Sequence, residues 1–279
     1  MSLEFCGSRA LAHVEQQVAL GPRPPGSEAS RQVRHYLREQ LLGSGCRVTE
    51  QPFLAHTPLG TVPMTNLLGT LPGDREKVLL LAAHYDTLRD FLGADDGASG
   101  VGALLELARV LSRERPACQV TFAFLDGEEA MCDWGPRDGL YGSRCLVQCL
   151  SEFRQLQRVR AAIVLDMIGD RELRVTRELT SSASLRYLVW QEARRQGVGS
   201  LFRGPAAQIE DDHLPFLEAG VASALLTGFH EAPGGVRPRY WHTAEDTLDK
   251  LCPESLQAVG RVVEGVLHRL DLDARNLTV

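Results

Sequence analysis

Three short apolar runs, each followed directly by a polar residue, are the feature that most constrains the fold of this 279-residue chain. They are residues 78–83 before His84, residues 120–125 before Asp126, and residues 161–165 before Asp166. Runs of this length, bounded by polar residues, are typical of buried β-strands. In open α/β sheets, ligands bind beyond the carboxyl ends of the strands. The sequence therefore predicts that several strands deliver acidic and imidazole side chains to one edge of a sheet.

Helical spacing of apolar residues recurs between the strands. Helices are predicted over residues 8–20, 27–42, 97–111, 143–150, 151–156, 182–196 and 253–270. Further strands are predicted over residues 48–54, 64–71 and 222–226, and residues 209–220 are assigned to a loop. The first two of these strands form a hairpin, which makes the sheet mixed. Alternation of strands and helices predicts the α/β class, as a three-layer α/β/α sandwich around a central mixed, mostly parallel sheet. Residues 1–279 contain no linker or repeat and are expected to form one catalytic domain.

Composition limits the function without specifying it. The net charge is −6, so the chain lacks the basic footprint of a nucleic-acid-binding protein, and no apolar run is long enough to span a membrane. The N-terminal stretch lacks the apolar core of a signal peptide. We therefore expect either a protein that is not exported or one whose signal was removed. The seven cysteines form no CxxC pair, which favours reduced thiols over a disulfide framework. Separately, we expect the chain to be a monomer.

The candidate metal ligands are His84, Asp96, Glu129, Asp166 and His242. A surface aspartate or a hydrogen-bonded histidine is far more common than a ligand, so no one of them is informative alone. Together they are informative, because three follow predicted strands and Asp96 lies in the glycine-rich loop GADDGASG. Acidic groups buried at strand ends repel one another unless a cation lies between them. Oxygen and imidazole ligands suit zinc, which keeps one coordination position open in catalytic sites.

Six motifs occur in a characteristic order: HYD, GADDGASG, DGEEA, LDMIGD, DDHLPF and WHT. This series resembles the zinc aminopeptidase superfamily, which has a mixed-sheet α/β fold. Within that superfamily, the chain is most similar to the animal-type glutaminyl-peptide cyclotransferases. That similarity rests on Trp134 after DGEEA, on D-x-LYGSR at residues 138–144, on IEDDHLPFL at residues 209–217, and on Trp241-His242-Thr243. The resemblance covers residues 10–270.

The resemblance implies four groups of site residues. They are the zinc ligands Asp96, Glu129 and His242; the proton carrier Glu128; a carboxylate network of Asp166 and Asp211; and a substrate pocket of Trp134, Trp241, Ile209 and Met167. The alternative for both tryptophans is packing in the core. One zinc ion is expected. The residues for a second zinc ion, which are His84 and Asp166 together with a bridging Asp96, are also present.

The implied reaction is the cyclisation of an N-terminal glutamine. The α-amine of the peptide attacks the γ-amide carbonyl of its own glutamine, closes a five-membered ring and releases ammonia. Because the substrate contains the nucleophile, the enzyme needs none, and the chain has no GxSxG motif. Glu128 and Glu129 point in different directions if the segment is extended, so one can bind metal while the other transfers protons.

Two other functions remain open from the sequence. GADDGASG is nearer to the aminopeptidase form of this loop, and Glu210 stands where the cyclases usually have glutamine. A dizinc aminopeptidase, in which a metal-bridging water attacks the first peptide bond and Glu128 is the base, is therefore the main alternative. The other alternative is an inactive domain of the same fold that only binds a partner. His213 and His230 are secondary candidates for the metal site, and His213 is expected to orient the DDH loop instead.

Overall fold

A computed structural model describes residues 4–114, 116–229 and 238–276 of the chain. The strands are β1 Arg47–Thr57, β2 Gly60–Leu71, β3 Arg75–His84, β4 Cys118–Leu125, β5 Val159–Asp166, β6 Arg177–Glu178, β7 Ala206–Ala207 and β8 Ser223–Thr227. The helices are α1 Gly7–Val18, α2 Glu28–Gly43, α3 Ala98–Leu111, α4 Tyr141–Glu152, α5 Ala183–Arg195, α6 His213–Glu218 and α7 Pro253–Asn276. His230 lies outside the described residues.

Six of the strands form one mixed sheet in the order β1-β2-β4-β3-β5-β8. The β1–β2 and β2–β4 pairs are antiparallel, whereas β4–β3, β3–β5 and β5–β8 are parallel. Alternate residues of β3 face opposite sides of the sheet, as the period of two requires. Leu79 and Leu81 belong to the apolar cluster that includes residues of α1, α2, α3, α5 and α7, and Leu80 belongs to the cluster on the other side, with residues of α4 and α6. The predicted α/β/α sandwich with a mixed, mostly parallel sheet is confirmed.

The N-terminal hairpin is longer than its apolar pattern suggests. β1 and β2 pair without interruption from Arg47 with Thr70 to Thr57 with Gly60. β1 is an edge strand, and β2 pairs with β4 only over Leu67–Leu71, so the prolines at positions 52 and 63 interrupt no second ladder. Ser27 caps α2, because its hydroxyl accepts a hydrogen bond from the backbone N–H of Ser30.

Two local predictions are wrong. No helix spans residues 151–156: α4 ends at Glu152, and Arg154 has a φ of 54°, which takes the backbone out of the helical region. Residues 209–220 are not all loop, because α6 forms over His213–Glu218. Pro215 is tolerated there because it lies in the first turn, where its missing N–H has no intrahelical acceptor.

All seven cysteines are free thiols, as expected from their spacing. Cys46 and Cys118 are buried among apolar side chains, whereas Cys132 is exposed. Within the described ranges, we find no helix with the length and apolar character needed to cross a bilayer.

Candidate metal centre and active site

The carboxyl ends of β3, β4 and β5 meet at one edge of the sheet because these strands are parallel neighbours. His84 is the last residue of β3 and Asp166 the last of β5. Glu129 follows β4 by four residues, and Asp96 precedes α3 by two. His242 arrives from the distant segment between β8 and α7. The structure brings all five predicted ligands together.

The five side chains form two trios that share Asp96. In the first, Nε2 of His84 lies 3.2 Å from Oδ1 of Asp96 and 3.2 Å from Oδ1 of Asp166. In the second, Nε2 of His242 lies 3.0 Å from Oε2 of Glu129 and 3.5 Å from Oδ2 of Asp96. The candidate ligand atoms of each trio lie within 4.8 Å of one another. Asp96 therefore presents one oxygen to each trio, which is how a carboxylate bridges two metal positions.

The environment of Asp96 and Glu129 fits a bound cation. Both side chains are buried, and Oδ2 of Asp96 and Oε1 of Glu129 accept no hydrogen bond. Burial, and then the charge of Glu129, raises the pKa of Asp96 to about 7. Burial also raises the pKa of Glu129 to about 8, although the neighbouring His84 opposes this. Desolvated carboxylates with unused oxygens bind a divalent cation readily, and the oxygen and imidazole donors suit zinc.

Two further aspartates hold the ligand loops by their backbone. The carboxylate of Asp246 accepts the N–H groups of Asp95, at 2.8 Å, and of Asp96, at 3.1 Å. The carboxylate of Asp86 accepts those of Glu128, at 3.1 Å, and Glu129, at 3.3 Å. Oδ1 of Asp86 also lies 3.6 Å from Nδ1 of His84. Asp86 is the aspartate of the HYD motif, but no role was assigned to it from the sequence. No sequence pattern pointed to Asp246.

Backbone conformations near the site are unusual. Gly97 has a φ of 83°, and a Cβ there would approach Cε1 of His84 to 2.8 Å, so only glycine fits. Met167 and His242 have φ values of 50° and 54°, which are costly for residues with side chains. Strained backbone of this kind persists where the surrounding structure fixes it, and such positions cluster at functional sites.

Aromatic rings enclose His242. The Trp241 ring stacks on the imidazole with centroids 3.7 Å apart and planes 19° apart. The buried Phe91 ring also stacks on it, with centroids 5.2 Å apart, and Phe229 meets Trp241 edge-on at 5.1 Å. These contacts fix the direction of the His242 ring. Phe91 had no signal in the sequence because it lies in a loop without periodicity.

The other predicted pocket residues lie around the same edge. Trp134 is 41% exposed, so it is not a core residue, and its Nε1 donates a hydrogen bond to Oε2 of Glu210 at 2.7 Å. Ile209 is half-buried and packs beside the apolar cluster that contains Phe216. Met167, which directly follows Asp166, is buried.

Glu128 is buried at the centre of an acidic neighbourhood and belongs to neither trio. Burial raises the pKa of Glu128, and the charges of Glu129, Asp211 and Asp212 act in the same direction against that of His84. Burial, followed by the charge of Asp166, also raises the pKa of Asp211. The carboxylate network of Asp166 and Asp211 stays a prediction.

His213 does not join the metal trios of the described residues. Its ring is fully buried, and Nε2 lies 2.8 Å from the Thr180 hydroxyl and 3.3 Å from Oε2 of Glu178. The side-chain oxygens of Glu178 also accept hydrogen bonds from the backbone N–H groups of Thr180, Ser181 and Ile209. These contacts tie the start of α6 to the segment after β6, in keeping with the expected orienting role of His213.

A three-layer α/β/α sandwich with a shared-carboxylate ligand set at its strand ends defines the class of zinc-exopeptidase-like proteins. The family model of peptidase family M28 matches residues 66–267, and the chain belongs to this family. A crystal structure of a Zn-dependent exopeptidase from Parabacteroides distasonis is 29% identical, with a TM-score of 0.86 over 95% of this chain and 98% of that one.

Within that class, the chain is similar to glutaminyl-peptide cyclotransferases. It is 35% identical to the glutaminyl-peptide cyclotransferase-like protein of Mus musculus over 86% of this chain and 70% of the relative. The crystal structure of an Acidobacteriales bacterium glutaminyl cyclase is 32% identical, with a TM-score of 0.90 over 97% of this chain and 96% of that one. The family resemblance read from the motifs is confirmed.

Proposed function

We propose that this protein is a zinc-assisted glutaminyl-peptide cyclotransferase, an acyltransferase that converts N-terminal glutamine of peptides and proteins to pyroglutamate and releases ammonia. The observation that supports it most directly is similarity over most of the chain to the mouse and Acidobacteriales proteins named for this activity. These relatives favour the cyclase over the dizinc aminopeptidase. The complete set of candidate ligands and acids also argues against an inactive binding domain.

The proposed zinc ligands are Asp96, Glu129 and His242. This trio suits a catalytic ion better than the His84 trio does, because the His242 side chain is 26% exposed and the His84 side chain only 2%. A catalytic ion needs one position that substrate can reach. When bound there, zinc would act as a Lewis acid that polarises the γ-carbonyl of the substrate glutamine. We propose one zinc per chain, and a chain that acts as a monomer.

Glu128 is proposed to move the proton. The substrate amine nitrogen forms a bond to the γ-carbonyl carbon, and the bond from that carbon to the amide nitrogen breaks. Glu128 takes the proton that the amine loses and returns it to the departing nitrogen, which leaves as ammonia. An α-amine has a pKa of about 7.7–8.0, so enough of it is neutral near physiological pH. Asp166 and Asp211 are proposed to form a carboxylate network beside it.

The pocket residues would hold the glutamine side chain folded against its own amine. Trp241 lies on His242 and can pack against the substrate's methylene groups, with Ile209 and Met167 as further apolar wall. Trp134 would cover the outer side. Holding the substrate amine and carbonyl within reach of each other provides much of the rate enhancement. Covering the lactam ring as it forms excludes the water that peptidases use.

Two peptides that differ only in their first residue test this function. The mass of each peptide is measured by mass spectrometry. The peptide that begins with glutamine should lose ammonia and keep every residue, and the mass of the peptide that begins with leucine should stay the same. The matched control is the same protein measured after chelation and again after zinc has been added back. Stepwise removal of residues from the leucine peptide, with the glutamine peptide left uncyclised, would refute the cyclase and favour the aminopeptidase.

A further inference from the structure

An aromatic ring and a carboxylate together bridge two loops at the rim of the site. Trp134 belongs to the loop that follows Glu129, and Glu210 lies between Ile209 and the buried Asp211. The hydrogen bond from Nε1 of Trp134 to Oε2 of Glu210, at 2.7 Å, joins these loops. A Cβ at Gly139 would lie 3.1 Å from both the Trp134 ring and the backbone oxygen of Glu128, so the pair borders the proposed active site.

The exposed surfaces of Trp134 and Glu210 suit the binding of a cationic side chain. Trp134 is 41% exposed and Glu210 is also exposed. The stem of a lysine or arginine can lie on an indole face while its charged end meets the carboxylate. Among the described residues, no ion pair joins Glu210 to a cationic side chain. Arg144 in the first turn of α4 instead donates to the carbonyl of Pro136.

We propose that Trp134 and Glu210 form the subsite for the residue after the N-terminal glutamine, and that this subsite selects a basic residue. The inference rests on the proposed cyclase function. Ile209 is the proposed wall of the glutamine pocket, and Glu210 is the next residue outward, so the next substrate residue falls beside it. Glu210 is thus a specificity-determining residue.

Three peptides that differ only at the second position, Gln-Lys, Gln-Ala and Gln-Glu, measure this selection. The kcat/KM for the lysine peptide should exceed that for the glutamate peptide by about three- to ten-fold, as exposed ion pairs allow. Raising the ionic strength should shrink this ratio, because exposed charges are screened.

The variant Glu210→Gln keeps an oxygen that can accept the Trp134 bond and removes only the charge. It should bring the lysine-to-glutamate ratio close to one. Glu218→Gln, which removes an exposed carboxylate at the far end of α6, is the matched control and should keep the parent ratio. A parent ratio near one, or a Glu210→Gln ratio equal to that of the parent, overturns the inference. Failure to cyclise Gln-Ala at all would instead overturn the proposed function.

Discussion

At the scale of single residues, the proposed reaction depends most on Glu128. Its side chain is buried and its backbone N–H is fixed by Asp86, so Glu128→Gln should keep the fold and the zinc. Glutamine has a similar size but cannot take up and return a proton. General acid–base catalysis typically contributes about 10²–10⁴-fold, and kcat should fall by that amount. Steady-state rates and elemental zinc analysis check this, with Glu218→Gln as control. A Glu128→Gln rate within a few-fold of the parent would show that another group moves the proton.

The residues that could be chosen from the sequence were those with a local signal. Asp96 lies in a glycine-rich loop, and His84 and Asp166 follow apolar runs, so the shared edge of a parallel sheet could be foreseen. Asp246 and Phe91 could not. Asp246 acts on backbone N–H groups about 150 positions away, and Phe91 acts by stacking on a ring from another loop. Such roles depend on tertiary contacts and leave no periodicity or motif.

At the scale of elements, long regular segments were predictable and short ones were not. α3 has fourteen residues and β3 has ten, each with a long apolar stretch, whereas α6 has six residues and β6 has two. Six residues are fewer than two helical turns, so their pattern cannot be separated from that of a loop. The placement of α6 is a tertiary effect, because His213 at its start is held by Glu178.

The loop before α3 is the element whose order matters most for metal binding, and Asp246 orders it. Asp246→Asn leaves one side-chain oxygen to accept from the backbone N–H groups of Asp95 and Asp96. The amide NH2 that replaces the second oxygen would face one of these donors and cannot accept from it. Loss of a group that orients a ligand typically lowers metal affinity about 10–100-fold. Competition with a chromophoric chelator should show such a loss of zinc affinity. Asp249→Asn, at an exposed carboxylate three positions along, should bind zinc as the parent does. Equal zinc affinity in Asp246→Asn and the parent would contradict this role.

At the scale of the whole molecule, removal of the metal should lower thermal stability. The site concentrates buried carboxylates, and several of their oxygens, including Oδ2 of Asp96 and Oε1 of Glu129, have no hydrogen-bond donor. Without a cation these groups repel one another in a desolvated place. A ligand that binds only the folded state stabilises it by about 2.7 kcal/mol at a hundred times its Kd. For a chain of this size, that corresponds to a fall in Tm of roughly 5 °C on chelation.

Differential scanning calorimetry of the protein as prepared with zinc, after chelation, and after zinc is added back measures this effect. The Tm should fall on chelation and recover with zinc. The variant His242→Ala removes one proposed ligand, so its Tm should respond much less to zinc. This control separates binding at the proposed trio from weak binding elsewhere, including the surface group of Glu114, Glu264 and His268. A parent Tm that chelator and zinc leave unchanged, or a His242→Ala variant that responds as strongly as the parent, would contradict the assignment of zinc to Asp96, Glu129 and His242.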